Sequence, residues 1–213
     1  MSDSIYFGSY ERFDTVSKKD AAQLLGADNL VGDVYEIEFS AEDGQQRAWM
    51  KNRFEARVGY FNDELSRKLS IYHARGWRIV ALLSLVAFTD TPEPGIYWGE
   101  AALISYDPRK KAFDAYVTKL SSRLSEGNRP TVELSQQGIK QVLESNGTWA
   151  PSKLLPSPEK KSGTAYIKTR RSYKEKLIEQ GRAGNKGCYF GSILSFIVLI
   201  FLAVFGLKAC GIF

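Results

Sequence analysis

Histidine and cysteine are scarce in this 213-residue chain: one histidine, His73, and two cysteines, Cys188 and Cys210. A Cys/His metal centre needs more ligands than that ahead of residue 188, so no metal and no cofactor is expected. A cysteine nucleophile is excluded from the first 187 residues, and a Ser–His pair would have to use His73. That residue sits in IYHARGW, within a predicted helix, where a histidine ordinarily meets solvent or the C-terminal end of the helix dipole. The motifs GxSxG, GxxxxGK(S/T) and GxGxxG are all missing, and with them the usual hydrolase and nucleotide-loop signals. The glycines of GRAGNKGCYFG follow no predicted strand and read as flexible linkage. The N-terminal stretch MSDSIYFGSYERFD has no apolar run and so no signal-peptide core.

Charge is absent altogether from Cys188 to Leu207, CYFGSILSFIVLIFLAVFGL. Twenty helical residues rise roughly 30 Å, the thickness of a bilayer's hydrocarbon core. Thirteen of them are Ile, Leu, Phe or Val, interrupted by Ser192 and Ser195. A buried core helix would show more of a polar face. The run therefore predicts a transmembrane helix over 188–207, with a short tail at 208–213.

Ahead of it, residues 160–186 carry nine basic and two acidic side chains, a net +7, against +5 for the whole chain. Basic residues next to a span stay on the cytoplasmic side. The expected topology is single-pass and tail-anchored, with the N-terminal domain cytoplasmic. Lys168, Arg170, Arg171, Lys174, Lys176, Arg182 and Lys186 are the candidate contacts to anionic lipid headgroups, worth about 1 kcal/mol each near such a surface. Cys188 and Cys210 lie roughly 33 Å apart along a helix, too far for a disulfide. Cys188 reads first as a small apolar residue at the interface, with acylation as the alternative. The sequon Asn146-Gly147-Thr148 stays unmodified in a cytoplasmic domain.

Residues 1–146 suffice for one α+β domain. Tyr35, Ile37 and Phe39 alternate with Glu36 and Glu38, the period of a half-buried strand. Asp43-Gly44 turns the chain, and Gln46–Met50 and Ala56–Phe61 read as strands. Asn62 or Asp63 caps a helix with Leu65, Leu69 and Tyr72 on one face, stopped by Gly76. Arg78–Phe88 and Ile96–Tyr106 read as long strands joined by the turn Thr91-Pro92-Glu93-Pro94-Gly95. Phe113, Tyr116, Val117, Leu120 and Leu124 fall at helical spacing. Ser135 caps a shorter helix bearing Ile139, Val142 and Leu143. The stretch 147–163 reads as a linker, 164–187 as a basic juxtamembrane segment, and 166–180 within it as a helix. The fold class expected is a small antiparallel β-barrel or sheet with helices, then linker, basic helix and span.

Gly59 and Tyr60, followed by Leu65 and Leu69, carry one resemblance. The stretch RVGYFNDELSRKL (57–69) resembles the GY-x-x-x-x-L-A-x-x-L segment of HIRAN domains, within a three-strand, helix, two-strand order over 32–106. It covers about a third of the chain. The resemblance implies a small β-barrel, associated in that family with DNA processing and, in some members, with binding single-stranded DNA ends. The family's upstream acidic-Pro-Asn-Pro-Asp segment has no counterpart here; the corresponding stretch is SAEDGQQRAWMKNRFEA.

Two function classes follow. One is a membrane-anchored, non-enzymatic binding or adaptor module for a protein, lipid or nucleic acid. The other is a membrane-tethered enzyme with a site of no recognised pattern. A nucleic-acid version would use Arg57, Tyr60, Arg67 and Lys68, part of a stretch where Lys51, Arg53, Trp49 and Phe61 interleave cations with aromatics. Ordinary solvated charge beside core aromatics is the competing reading of the same residues.

Overall fold

The computed structural model describes residues 5–15, 18–42, 44–182, 195 and 197–200. The chain divides into two compact units, Met1–Arg171 and Ser172–Phe213.

In the first unit, strands β1 (Tyr6–Asp14), β2 (Val34–Glu42), β3 (Gln45–Lys51), β4 (Arg57–Tyr60), β5 (Arg78–Thr89) and β6 (Ile96–Tyr106) pair in the order β2-β3-β4-β1-β6-β5. β5 then pairs with β2, which closes a six-stranded antiparallel barrel. Helix α1 (Lys18–Leu25) joins β1 to β2, and helix α2 (Asp63–Ala74) joins β4 to β5. The strands and helix expected over 35–106 are all present. β1 and α1 are additions that the sequence reading did not contain.

β1 completes the barrel. It pairs with β6 along its whole length, from Tyr6↔Tyr106 to Asp14↔Trp98, but meets β4 only at Asp14↔Tyr60. Its Phe13 is fully buried inside the barrel with Tyr35, Met50, Phe61, Ala81, Leu83, Ala101 and Leu103. The ring has space because its neighbours on β4 and β6 are glycines. A Cβ on Gly59 would lie 2.4 Å from it, and one on Gly99 2.3 Å. Glycine in a strand often marks such a close approach.

Asn62 caps α2, its Oδ1 accepting from the Leu65 backbone N–H at 2.9 Å. Leu65 and Leu69 then join the barrel's core. Ser66 pins the helix to β3 and its own entry: its Oγ accepts from Ala48 N at 3.0 Å and donates to Phe61 O at 3.1 Å.

A second core lies on the other face of β1, β6 and β5. Val80, Leu82, Ala102, Ile104 and Tyr106 alternate with the barrel-facing residues and meet Phe113, Tyr116, Val117, Leu120 and Leu124 of α3 (Ala112–Ser125). Ile139 and Val142 of α4 (Gln136–Glu144) complete it, below the Ser135 cap. Both faces of β5 are thus covered, which is why RIVALLSLVAF reads as a long apolar run with only Ser84 inside it.

The stretch read as a linker, 147–163, is packed against this unit. Trp149 and Ala150 pack on the second core, Pro130 bridges to Leu154, and Leu155 N donates to Arg129 O at 2.7 Å. Its three prolines offer no N–H donor, but each carbonyl is used. Pro151 O accepts from Arg123 at 2.5 Å, Pro156 O from Arg129, and Pro158 O from the Tyr166 hydroxyl at 2.5 Å.

The expected helix over 166–180 is also corrected. Residues Thr164–Lys168 form β7, antiparallel to β5 from Thr89↔Thr164 to Val86↔Lys168. β2 occupies the β5 edge only over Val80–Leu82, and β7 covers what an open edge would otherwise leave exposed.

In the second unit the helix is α5 (Tyr173–Arg182). Ser172 opens it as a capping box: Ser172 N donates to Glu175 Oε2 at 2.7 Å, and Glu175 N donates to Ser172 Oγ at 3.3 Å. The span expected over 188–207 lies largely outside the described residues. Ser195 and residues 197–200 are described as helical, and Ile197, Val198, Leu199 and Ile200 are 45–60% exposed. Among the described residues no helix is long and apolar enough to cross a membrane.

Candidate functional site

The basic–aromatic residues divide between inside and outside of the barrel. Ala48 and Met50 point into the barrel core, so Arg47, Trp49 and Lys51 stand on the outer face of β3. Trp49 pairs across to Glu38 on β2 and to Tyr60 on β4. The rings of Trp49 and Tyr60 lie 5.2 Å apart, and the Arg57 guanidinium sits 5.1 Å over the Trp49 ring. Arg47 covers Tyr60 at 4.8 Å, and Trp49 Nε1 donates to Ser40 Oγ at 2.9 Å. Glu38 lies among the cations. It accepts from Arg57 Nε at 3.0 Å and lies 3.7 Å from Lys51, which also pairs with Glu55 at 2.6 Å. The Arg57 hydrogen bond holds the Glu38 carboxyl below its ordinary range, and the Glu55 hydrogen bond raises the Lys51 ammonium.

This surface is compensated. Trp49 is 6% exposed, so no base can stack on it without displacing Arg57 or Tyr60. Phe61 is inside the barrel. Arg67 is exposed on α2, while Lys68 lies 3.9 Å over the Phe7 ring of β1. The structure thus brings Arg57 and Tyr60 together around Trp49, and gives Lys68 an aromatic neighbour of its own. Of the residues carrying the HIRAN resemblance, Gly59, Leu65 and Leu69 serve packing. His73 lies in the last turn of α2 with its ring 5.0 Å from Phe39.

The basic segment also divides. Lys168 Nζ donates to Gly26 O at 2.8 Å and Asn29 O at 3.1 Å. Arg171 donates from Nε to Val31 O at 2.7 Å and pairs with Asp33 at 2.9 Å, both side chains 15% exposed. These two cations clamp the α1–β2 loop to β7 and its following turn. Arg170 is exposed, as are Lys174 and Lys176 on α5. Arg182 falls in the last turn of α5, and Lys186 lies outside the described residues.

A third place was not legible in the sequence. Ser84 is the one polar residue inside RIVALLSLVAF, and the β5–β6 register shifts around it, from Leu83↔Ala101 to Leu85↔Glu100. It is the extra residue of a β-bulge. Beside it, Glu100 pairs with Arg129 at 2.5 Å, both side chains 11% exposed. Burial pushes the Glu100 carboxyl up, and Arg129 pulls it part of the way back. Arg129 also lies 4.7 Å over the Tyr10 ring.

Polar groups here are incompletely satisfied. Arg129 Nε is buried with no hydrogen-bond partner among the described residues. The Ser84 hydroxyl is close enough to Glu100 to favour its ionised form, yet completes no hydrogen bond of normal geometry. Each such group costs about 1–3 kcal/mol of desolvation. A cavity of about 350 Å³ opens at this point, lined by Ser84, Leu85, Glu126, Gly127, Arg129, Ser157, Thr169 and Arg170. The signal available beforehand was the lone serine in an apolar strand. The Glu100–Arg129 pair beside it joins residues 29 apart in sequence, a separation no periodicity reports.

Among the described residues no group of three or more His, Cys, Asp or Glu side chains is placed to hold a metal ion. No protein-family model, no curated protein and no solved structure matches this chain.

Proposed function

We propose that this protein is a single-pass, membrane-anchored binding module, with its barrel on the cytoplasmic side of the bilayer. One observation carries the reading: the uncharged run 188–207, in which the described residues 197–200 are helical and present four consecutive exposed apolar side chains. The basic segment ahead of it supports the orientation and a second contact, with anionic headgroups, through Arg170, Lys174, Lys176, Arg182 and Lys186. Binding rather than catalysis is supported by the inventory: a single histidine, its ring tilted against Phe39, and no cysteine before residue 188.

Membrane fractionation of the full chain tests the anchor. The protein is expected to remain with membranes through alkaline carbonate and to be released by detergent. A reporter fused at Ser2 is expected to behave as cytoplasmic. Recovery of the chain in the soluble fraction without detergent, or a reporter at Ser2 on the far side, would overturn the reading.

A further inference from the structure

We propose that the cavity at the β5 bulge is a binding site for a phosphate group, with Arg129 and Ser84 at its base and Arg170 at its rim. The proposal gives a ligand to the binding module described above and rests on that reading.

The lining is rich in donors. It holds two guanidinium groups, Arg129 and Arg170, and three hydroxyls, Ser84, Ser157 and Thr169. A guanidinium has no acceptor atom, so Arg129 Nε can be satisfied only by an oxygen brought to it. Two of the three Arg129 nitrogens are already committed, to Glu100 and to the Pro156 carbonyl. Those contacts and the Tyr10 ring fix the guanidinium and leave the third nitrogen without a partner. Ser84 is 2% exposed and its hydroxyl is likewise without a good partner.

The local backbone fits this role. A bulge bends its strand, re-aims a side chain, and is found disproportionately beside binding sites. Here it places a serine where the strand otherwise holds only apolar residues. The donors also come from four separate stretches: β5, the turn after α3, the proline segment and the turn after β7. A tetrahedral phosphate offers oxygens in several directions, whereas a planar carboxylate offers two in one plane. The cavity volume is about ten times the share of one liquid water, room for a phosphate and part of what it is attached to. Glu126, exposed at the rim, is the one carboxylate in the lining, and Glu100 is already paired.

The phosphate could be free or carried on a lipid headgroup, and one experiment separates the two. The full chain is placed in phosphatidylcholine nanodiscs and titrated with inorganic phosphate by calorimetry. A second set of nanodiscs contains a monophosphorylated phosphoinositide, and protection of the chain from thermal unfolding is compared with and without that lipid. Ser84→Ala and Arg170→Gln are run in parallel. Saturable binding is expected in at least one arm, weakened about tenfold or more by each substitution. Both variants are also melted in phosphate-free buffer, so that a loss of binding is read on folded protein. Binding of inorganic phosphate assigns a soluble ligand; protection by the phosphoinositide alone assigns a headgroup. Absence of binding in both arms at about 10 mM phosphate overturns the site, and so does equal affinity in wild type and both variants. The inorganic-phosphate arm needs no bilayer, so a chain that proved soluble would sink the anchor while leaving this site open to titration.

Discussion

Arg171→Gln separates two roles for the same cation. As a headgroup contact, Arg171 would contribute to vesicle binding and nothing to folding. In the structure its Nε donates to Val31 O at 2.7 Å and its other end pairs with Asp33 at 2.9 Å. Asp33 is held in place by Leu30 N, which donates to its second oxygen at 2.8 Å, so the carboxylate cannot easily turn to solvent. Hydrogen bonds to charged groups contribute about 1.5–3 kcal/mol each, and removing one partner of a fully buried pair costs about 3–5. The pair is 15% exposed, so water recovers part of that, and a loss of about 3 kcal/mol is expected. For a chain of this size 1 kcal/mol moves the melting temperature by about 2–4 °C, so the shift should be about 6–12 °C. The four tryptophans, Trp49, Trp77, Trp98 and Trp149, all lie in the first unit, so their fluorescence reports its unfolding in detergent. Lys174→Gln, exposed on α5, is the control and should stay within about 0.5 kcal/mol. If Arg171→Gln melts with the wild type and loses vesicle binding as Lys174→Gln does, the clamp is not a stabilising feature and the reasoning fails.

Gly59→Ala should destabilise by about 1–3 kcal/mol through its clash with Phe13; adding Phe13→Leu should recover part of the loss, and strictly additive effects in denaturant titrations would contradict the contact. Asp107 accepts from the Arg109 guanidinium and from its backbone N–H, which hold its carboxyl at about 2. Its pKa is depressed on folding, so its contribution is present above about pH 4 and fades as pH falls toward 2. Asp107→Asn should flatten stability across that window, and an unchanged acid limb in thermal melts speaks against it. A peptide of residues 172–187 should bind anionic vesicles and lose that binding as salt shortens the Debye length to about 3 Å at 1 M. Sedimentation that is indifferent to salt would point to Tyr173, Leu177 and Ile178, exposed on α5, instead of charge.

The parts legible in the sequence were those whose packing leaves a period. β2 to β4 alternate because one face meets the barrel core, and α2 to α4 repeat at helical spacing because one stripe is covered. Asn62 and Ser135 announced their helices by chemistry alone. β1 left no such trace: YFGSYERFD puts aromatics on both faces, since Tyr6 faces α3 while Phe13 fills the barrel. β7 was misread because TAYIK runs into TRRSYKEKLIEQ, whose composition suits a helix, and because its strand state depends on an edge of β5 almost eighty residues earlier. The capping box Ser172–Glu175 was there to mark the true helix start. Of the candidate site, Arg57 and Tyr60 were found together, but the carboxylates that neutralise the surface and the Ser84–Glu100–Arg129 group depend on contacts between distant segments.

The seating of β1 between β4 and β6 bears on how this domain can be divided. The stretch 32–106, taken alone, contains five of the barrel's six strands and looks self-sufficient by element order. Without β1, β6 would present nine unpaired residues along one side, from Trp98 to Tyr106, and Phe13 would leave a hole where two glycines had made room for it. Such a fragment carries a ready template for a foreign strand, so its default behaviour is self-association or exchange of segments between copies. Any piece of this protein meant to stay monomeric must therefore begin ahead of Tyr6, and a bound protein that supplied a strand in place of β1 would compete with folding itself.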